Sequence, residues 1–157
     1  MLKIIVDENI PAAETCFATL GEVVKKPGRS LQAADVRNAD VLIVRSITQV
    51  DKALLQGSKV RFVGTATIGV DHVDQAYLAQ QGMFFTNAPG CNAQSVVDYV
   101  VAALLELEAS RGIALEGKTI GIVGVGNVGS RLRSVVAALG MKVLACDPPL
   151  QAQGVSG

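Results

Sequence analysis

Tryptophan is absent from this sequence, aromatic residues make up only 4% of it, and histidine occurs once. A core without large rings has to be built from aliphatic side chains, and hydrophobic residues supply 50% of the chain. No charge of either sign dominates: 14 Lys and Arg balance 14 Asp and Glu, for a formal net charge of zero. Without a global field, nucleic acid and anionic membrane are not expected partners. No apolar run approaches the length of a membrane-spanning helix. The first residues, MLKIIVDE, bring charges close behind a short apolar run, which excludes a signal peptide pattern. The three cysteines, Cys16, Cys91 and Cys146, are odd in number and form no C-x-x-C pair. That argues for a reducing cytoplasm and against a disulfide framework or a zinc site; no metal site is expected.

What is present is alternation. Short apolar runs at 3–6, 22–24, 41–45, 61–64, 83–86, 119–123 and 142–146 predict strands. Helical patterns fall at 11–20, 33–38, 52–56, 73–80, 93–110 and 127–139. Strands separated by helices predict an α/β fold with a mainly parallel sheet covered on both faces. The pattern at 93–110 differs, because Val96, Val97, Val100, Val101, Ala103, Leu104, Leu105 and Leu107 cover most of a helical surface. A helix apolar nearly all round predicts burial between domains or between subunits. The mixed, glycine-bearing RGIALEGK that follows reads as a connector. The expected organisation is a small α/β domain over 1–92, a long helix and connector over 93–118, and the opening βαβ of a second domain over 119–157.

That second domain starts with TIGIVGVGNVG, a β-branched run leading into Gly124, Gly126 and Gly129 at G-x-G-x-x-G spacing. Gly124 permits a tight exit from the strand, Gly126 lets a pyrophosphate approach the backbone, and Gly129 lets the helix pack on the strand. Asn127 and Val128 would then offer backbone N–H groups at the positive end of the helix dipole. Asp147 stands at the end of the next strand, eighteen residues after Gly129. A carboxylate there can accept both hydroxyls of an adenosine ribose and would repel a 2′-phosphate, which favours NAD over NADP. Pro148 and Pro149 are expected to stiffen the loop beyond it. Methyltransferases and flavin proteins use related sheets with an acid after the second strand, but the three-glycine spacing on a short turn favours a dinucleotide.

Other residues invite a functional reading. His72, in GVDHVD, is the one histidine available as a general base, yet its place between two aspartates predicts a loop or cap role. Cys91 precedes a long helix, whose N-terminus could lower the thiol pKa and make it reactive, but a small buried space-filler is the expected role; Cys146 ends a strand and is expected in the core. Arg45 could meet a substrate anion or pair with Asp7 or Glu8. Arg131 and Arg133 read as a solvated helix face. Asp71 and Asp74 suit a helix start.

Read together, VRSIT, GTATIGVDHVD, TNAPGCNAQSVVDYV and GKTIGIVGVGNVGSRL, in that order, resemble the D-isomer-specific 2-hydroxyacid dehydrogenases. VDENIP, PGR, NAPGCN and CDPP narrow the likeness to a branch whose substrate is a small 2-hydroxy acid phosphate. The resemblance implies a flavodoxin-like substrate domain followed by a Rossmann NAD-binding domain, and oxidation of the 2-hydroxyl with NAD as cofactor. It implies substrate contacts by Ser46 and Thr67, a carboxylate-facing loop shaped by Gly69, a ribose contact by Asp147, and a homodimer. It places the catalytic arginine, acid and histidine beyond Gly157, so that no catalytic residue is expected in these 157 residues and the chain alone is expected to be inactive. A dinucleotide-binding regulatory module without chemistry is the alternative.

Overall fold

The structure, a computed structural model, describes residues 1–152 and 154. It divides into two compact units, Met1–Pro89 and the residues from Gly90 onward.

The first unit holds five parallel strands: β1 (Leu2–Asp7), β2 (Gly21–Lys26), β3 (Val41–Val44), β4 (Phe62–Thr65) and β5 (Phe84–Thr86), in the order β2-β1-β3-β4-β5. This is the flavodoxin-like order, with a topological switch point between β1 and β3. The continuous apolar runs make central strands buried on both faces, as the sequence implies. Register aligns Ile5, Leu42, Val63 and Phe85 across one face. Over it pack α2 (Ala33–Val36), α3 (Lys52–Leu55) and α4 (Gln75–Gln80) through Val36, Leu54, Leu55 and Leu78. Asp51 and Asp74 cap α3 and α4 by accepting from Leu54 N and Tyr77 N at 3.0 and 2.9 Å, so Asp74 has the helix-start role expected of it. The opposite face carries Ile4, Val6 and Ile43 and is covered by the short α1 (Ala13–Phe17). An apolar cavity lined by Phe17, Leu20, Phe62 and Phe84 lies on that side, and Phe84 is 75% exposed.

Helix boundaries moved inward for local reasons. Ala12 has φ 56°, a left-handed residue that delays α1 until Ala13. Val73 forms a parallel bridge with Val50, so the segment predicted to be helical from 73 enters α4 only at Gln75.

The second unit contains α5 (Ala93–Arg111), β6 (Thr119–Val123), α6 (Asn127–Ala138), β7 (Lys142–Cys146) and α7 (Pro148–Ala152). Strands β6 and β7 pair in parallel from Thr119↔Lys142 to Val123↔Cys146. Ile120, Ile122 and Val143 face a core shared with Val97 of α5 and Leu132 and Val136 of α6. Alternation sends Val123, Leu144 and Cys146 to the other face. Leu144 is 67% exposed there and Cys146 is exposed too, which corrects the expectation of a buried Cys146. Cys91, on the turn before α5, is also exposed rather than a space-filler. Helix α5 likewise buries one flank only: Tyr99 is 75% exposed, and Leu105 and Leu107 are exposed with it. The two prolines do not make a loop. They start α7, where a missing N–H costs nothing, and Asp147 accepts from Leu150 N at 3.1 Å as its cap.

Candidate functional site

Parallel pairing of β3, β4 and β5 places their carboxyl ends side by side, about 4.8 Å apart. Val44 pairs with Thr65, so Ser46 and Thr67 each stand two residues beyond paired positions. The ladder continues past the strands: Ala66 N donates to Val44 O at 2.9 Å and Ala88 N to Thr67 O at 3.1 Å. Asn87 Nδ2 donates to Ile68 O at 2.8 Å and fixes the loop between. Ser46 is exposed on its turn and Thr67 half-buried, so both hydroxyls sit at the rim of the sheet. Gly69, in the same loop, has open space where a Cβ would point.

Beneath this rim lies a chain of polar contacts that sequence reasoning missed. Thr65 Oγ1 is 2.7 Å from Thr67 Oγ1 and 3.0 Å from His72 Nε2. Thr67 Oγ1 in turn donates to Gly69 O at 3.2 Å. His72 is held in place by the bridge around it: Val50 N donates to His72 O and Asp74 N to Val50 O, both at 2.8 Å. His72 is 8% exposed, and its burial pushes its pKa below the ordinary histidine value, against a smaller opposite pull from Asp71. A buried imidazole bonded to a threonine is a structural group, which agrees with the loop reading of His72. The T-x-T of GTATIG was the available signal, since alternate residues at a strand end share a face.

Arg45 resolves toward the acid. Its Nε donates to Asp7 Oδ1 at 3.1 Å, and the Asp7 side chain is almost fully buried. Gly28 is packed so closely that an added Cβ would collide with Asp7 Oδ2, and Thr48 Oγ1 donates to Gly28 O at 3.0 Å. Asp35 is held below the usual carboxylate range, chiefly by the side-chain bond from Lys26 and then by the Gln32 N–H, and it serves the start of α2.

In the second unit the glycine turn runs directly from β6 into α6. Gly124 has φ 90°, a conformation that side-chain-bearing residues rarely adopt. A Cβ on Gly129 would strike the Gly124 carbonyl, so Gly129 sets how closely helix meets turn. A Cβ on Gly126 would meet nothing within 4 Å; it would project into the space a ligand would use. Gly126 caps α6 without a side-chain hydrogen bond, and among the described residues no side chain accepts from the N–H groups of Asn127 and Val128. These donors carry the positive end of the helix dipole, worth about half an elementary charge. Arg131 and Arg133 are exposed on the same helix, as a solvated face should be.

Asp147 does more than the sequence suggests. Its Oδ2 accepts from Val125 N at 2.6 Å, tying the end of β7 to the glycine turn, while Oδ1 caps α7. A carboxylate offers about four lone-pair sites, so two remain for a ligand's hydroxyls. The arrangement fits a dinucleotide: open donors at a helix N-terminus, a backbone without a Cβ beside them, and a half-buried carboxylate at the next strand end.

Residues 4–144 match the family described as D-isomer specific 2-hydroxyacid dehydrogenase, catalytic domain. The chain belongs to this family. It is 60% identical over 148 residues to the erythronate-4-phosphate dehydrogenase of Chromohalobacter salexigens, covering 94% of this chain and 39% of that protein. The enzyme of the same name from Edwardsiella ictaluri is 59% identical over 153 residues, 98% of this chain and 41% of that protein. The chain thus spans about two fifths of the length of these relatives. Among solved structures, NAD+-bound 3-phosphoglycerate dehydrogenase of Entamoeba histolytica superposes with a TM-score of 0.75 at 26% identity, covering 99% of this chain and 55% of that one. Apo D-lactate dehydrogenase of Escherichia coli gives a TM-score of 0.78 at 16% identity, over 94% and 55% of the two chains, a likeness of fold.

Proposed function

We propose that this chain is part of an NAD-dependent dehydrogenase that oxidises the 2-hydroxyl of 4-phospho-D-erythronate to the 2-oxo acid, a step towards pyridoxal phosphate. The observation that carries the reading is the second unit's open helix N-terminus above Gly126 with Asp147 at the neighbouring strand end. The names of the relatives at 59–60% identity support the substrate.

NAD would supply the hydride acceptor. The chain's own residues bind and orient. Backbone N–H groups of Asn127 and Val128 hold the pyrophosphate, Gly124, Gly126 and Gly129 shape the turn around it, and Asp147 accepts from the ribose. Ser46 and Thr67 hold the substrate's polar groups at the sheet rim, so this part of the enzyme contributes positioning. The burial of the one histidine against Thr65 supports a proton acceptor outside these residues. Three exposed cysteines, unpaired, support a reducing cytoplasm. The exposed apolar flank of α5, with Tyr99, Leu105 and Leu107, supports a homodimer.

The test is turnover. The complete enzyme carrying this sequence should reduce NAD when given 4-phospho-D-erythronate, and Ser46→Ala and Thr67→Val should each raise KM. A purified complete enzyme that binds NAD but forms no NADH with this substrate refutes the substrate assignment.

A further inference from the structure

Hydrogen-bond accounting gives the buried polar chain under the substrate rim a direction. Thr67 has one hydroxyl proton, and it goes to Gly69 O. In the 2.7 Å contact between the two threonines, Thr67 must therefore accept and Thr65 must donate. That uses the single proton of Thr65. In the 3.0 Å contact with His72, Thr65 can then only accept, so Nε2 of His72 must carry a proton. Satisfying all three contacts leaves one order: His72 Nε2–H to Thr65, Thr65 O–H to Thr67, Thr67 O–H outward. With the proton on Nδ1 alone, Thr65 would donate to His72. Thr67 would then turn its proton inward to Thr65, and Gly69 O would lose its donor.

We propose that His72 is a positioning residue whose Nε2–H sets the direction of this relay and makes Thr67 an obligate outward donor. With its oxygen already accepting from Thr65, Thr67 can direct its proton only at Gly69 O or at an incoming anionic or carbonyl oxygen. A carboxylate or phosphate oxygen is the ligand chemistry that such a hydroxyl recognises, since it needs a donor and offers none. The inference deepens the proposed function, on which the contact between Thr67 and substrate rests. It also gives a role to the one histidine of the chain, which the chemistry itself does not use. Protonation of His72 leaves Nε2–H in place, so the direction survives in either charge state.

The single histidine makes the test clean. In the 15N-labelled 157-residue chain, the two ring-nitrogen shifts of His72 at neutral pH should report the Nε2–H tautomer. Thr67→Val removes the acceptor for the Thr65 proton without touching His72. That proton then becomes available to His72, and the tautomer should shift towards a mixture. A ring that is merely packed would not respond to Thr67. In the complete enzyme, His72→Leu leaves both relay directions open, so the outward-donor population falls and KM for 4-phospho-D-erythronate rises about two- to threefold, with kcat unchanged. His72→Gln, which restores an N–H at similar reach, should return KM to the wild-type value. An Nδ1–H tautomer in the wild-type chain, a tautomer indifferent to Thr67→Val, or a KM unmoved by His72→Leu overturns the proposal. If the wild-type complete enzyme does not turn over 4-phospho-D-erythronate, the proposed function fails, and the two ring-nitrogen measurements decide the relay by themselves.

Discussion

Asp147 joins two roles in one carboxylate, and a single substitution separates them. Its oxygens already accept from Val125 N at 2.6 Å and Leu150 N at 3.1 Å, and the remaining lone pairs are the ones available to a ribose. Replacement by Ser keeps a good helix cap for α7, because Ser and Asp rank together at that position. It removes the charge and withdraws the acceptor from Val125 N. A hydrogen bond to a charged group contributes about 1.5–3 kcal/mol, so losing the ribose contact should weaken NAD by roughly 10- to 150-fold. Loosening of the glycine turn would weaken binding as well, but NAD and NADP share the pyrophosphate that the turn receives. The loosening therefore cancels in the ratio of kcat/KM for the two cofactors. Removing the carboxylate also removes its repulsion of a 2′-phosphate. The NAD-over-NADP preference of the complete enzyme should thus fall at least about tenfold in Asp147→Ser. If kcat/KM falls equally for both cofactors, Asp147 anchors the turn and does not read the ribose.

Two glycines three residues apart should respond in opposite ways. Gly126→Ala projects its Cβ into open space, so it should cost less than about 1 kcal/mol in thermal unfolding yet weaken NAD more than tenfold in calorimetric titration. Gly129→Ala drives its Cβ into the Gly124 carbonyl and should destabilise the second unit by about 1–3 kcal/mol, read by urea denaturation. His72 should give stability a pH dependence. Its folded pKa lies below the unfolded value near 6.5, because burial disfavours the cation, so its contribution is complete above that value. It is lost as pH falls through the folded pKa. Urea midpoints measured downward from neutral pH should show a drop that His72→Gln removes, and an unchanged drop in that variant would refute the assignment to His72.

The strands were legible because each reads as a short apolar run, and in the central strands of the first unit, covered on both faces, such runs need no alternation. All seven predicted strands form. Helix limits were less legible, since single features decided them: the left-handed backbone of Ala12 before α1, and the Val50–Val73 bridge before α4. Residues expected to be buried were misjudged where burial depends on a neighbouring layer. Cys146 looks like core because a strand-ending cysteine beside aliphatic residues belongs in one. In this chain alternation places it, with Leu144, on the face of β7 away from α6. Helix α5 divides in the same way within one chain, with one flank packed on α6 and the other presenting Tyr99 to solvent.

The site divides along a similar line. Local chemistry was visible: a glycine that must be free of Cβ, a helix start that must be empty of caps, an acid at a strand end. These are properties of three or four consecutive residues, and the chain's spacing states them. Pairings across the sheet were not visible. Nothing in the spacing says that Asp147 reaches back to Val125 N, that Arg45 finds Asp7 rather than a ligand, or that His72 sits under Thr65. The first two depend on register between paired strands, which follows from packing of whole faces, and the third on the Val50–Val73 bridge, which turns the loop carrying His72 back towards the sheet. Yet these distant pairings decide what the local groups can do. Val125 N is spent on Asp147, which leaves the donors at Asn127 and Val128 to receive an anion. Thr67 is exposed enough to touch a ligand, but whether it gives or takes a proton is settled two side chains away, at a buried imidazole.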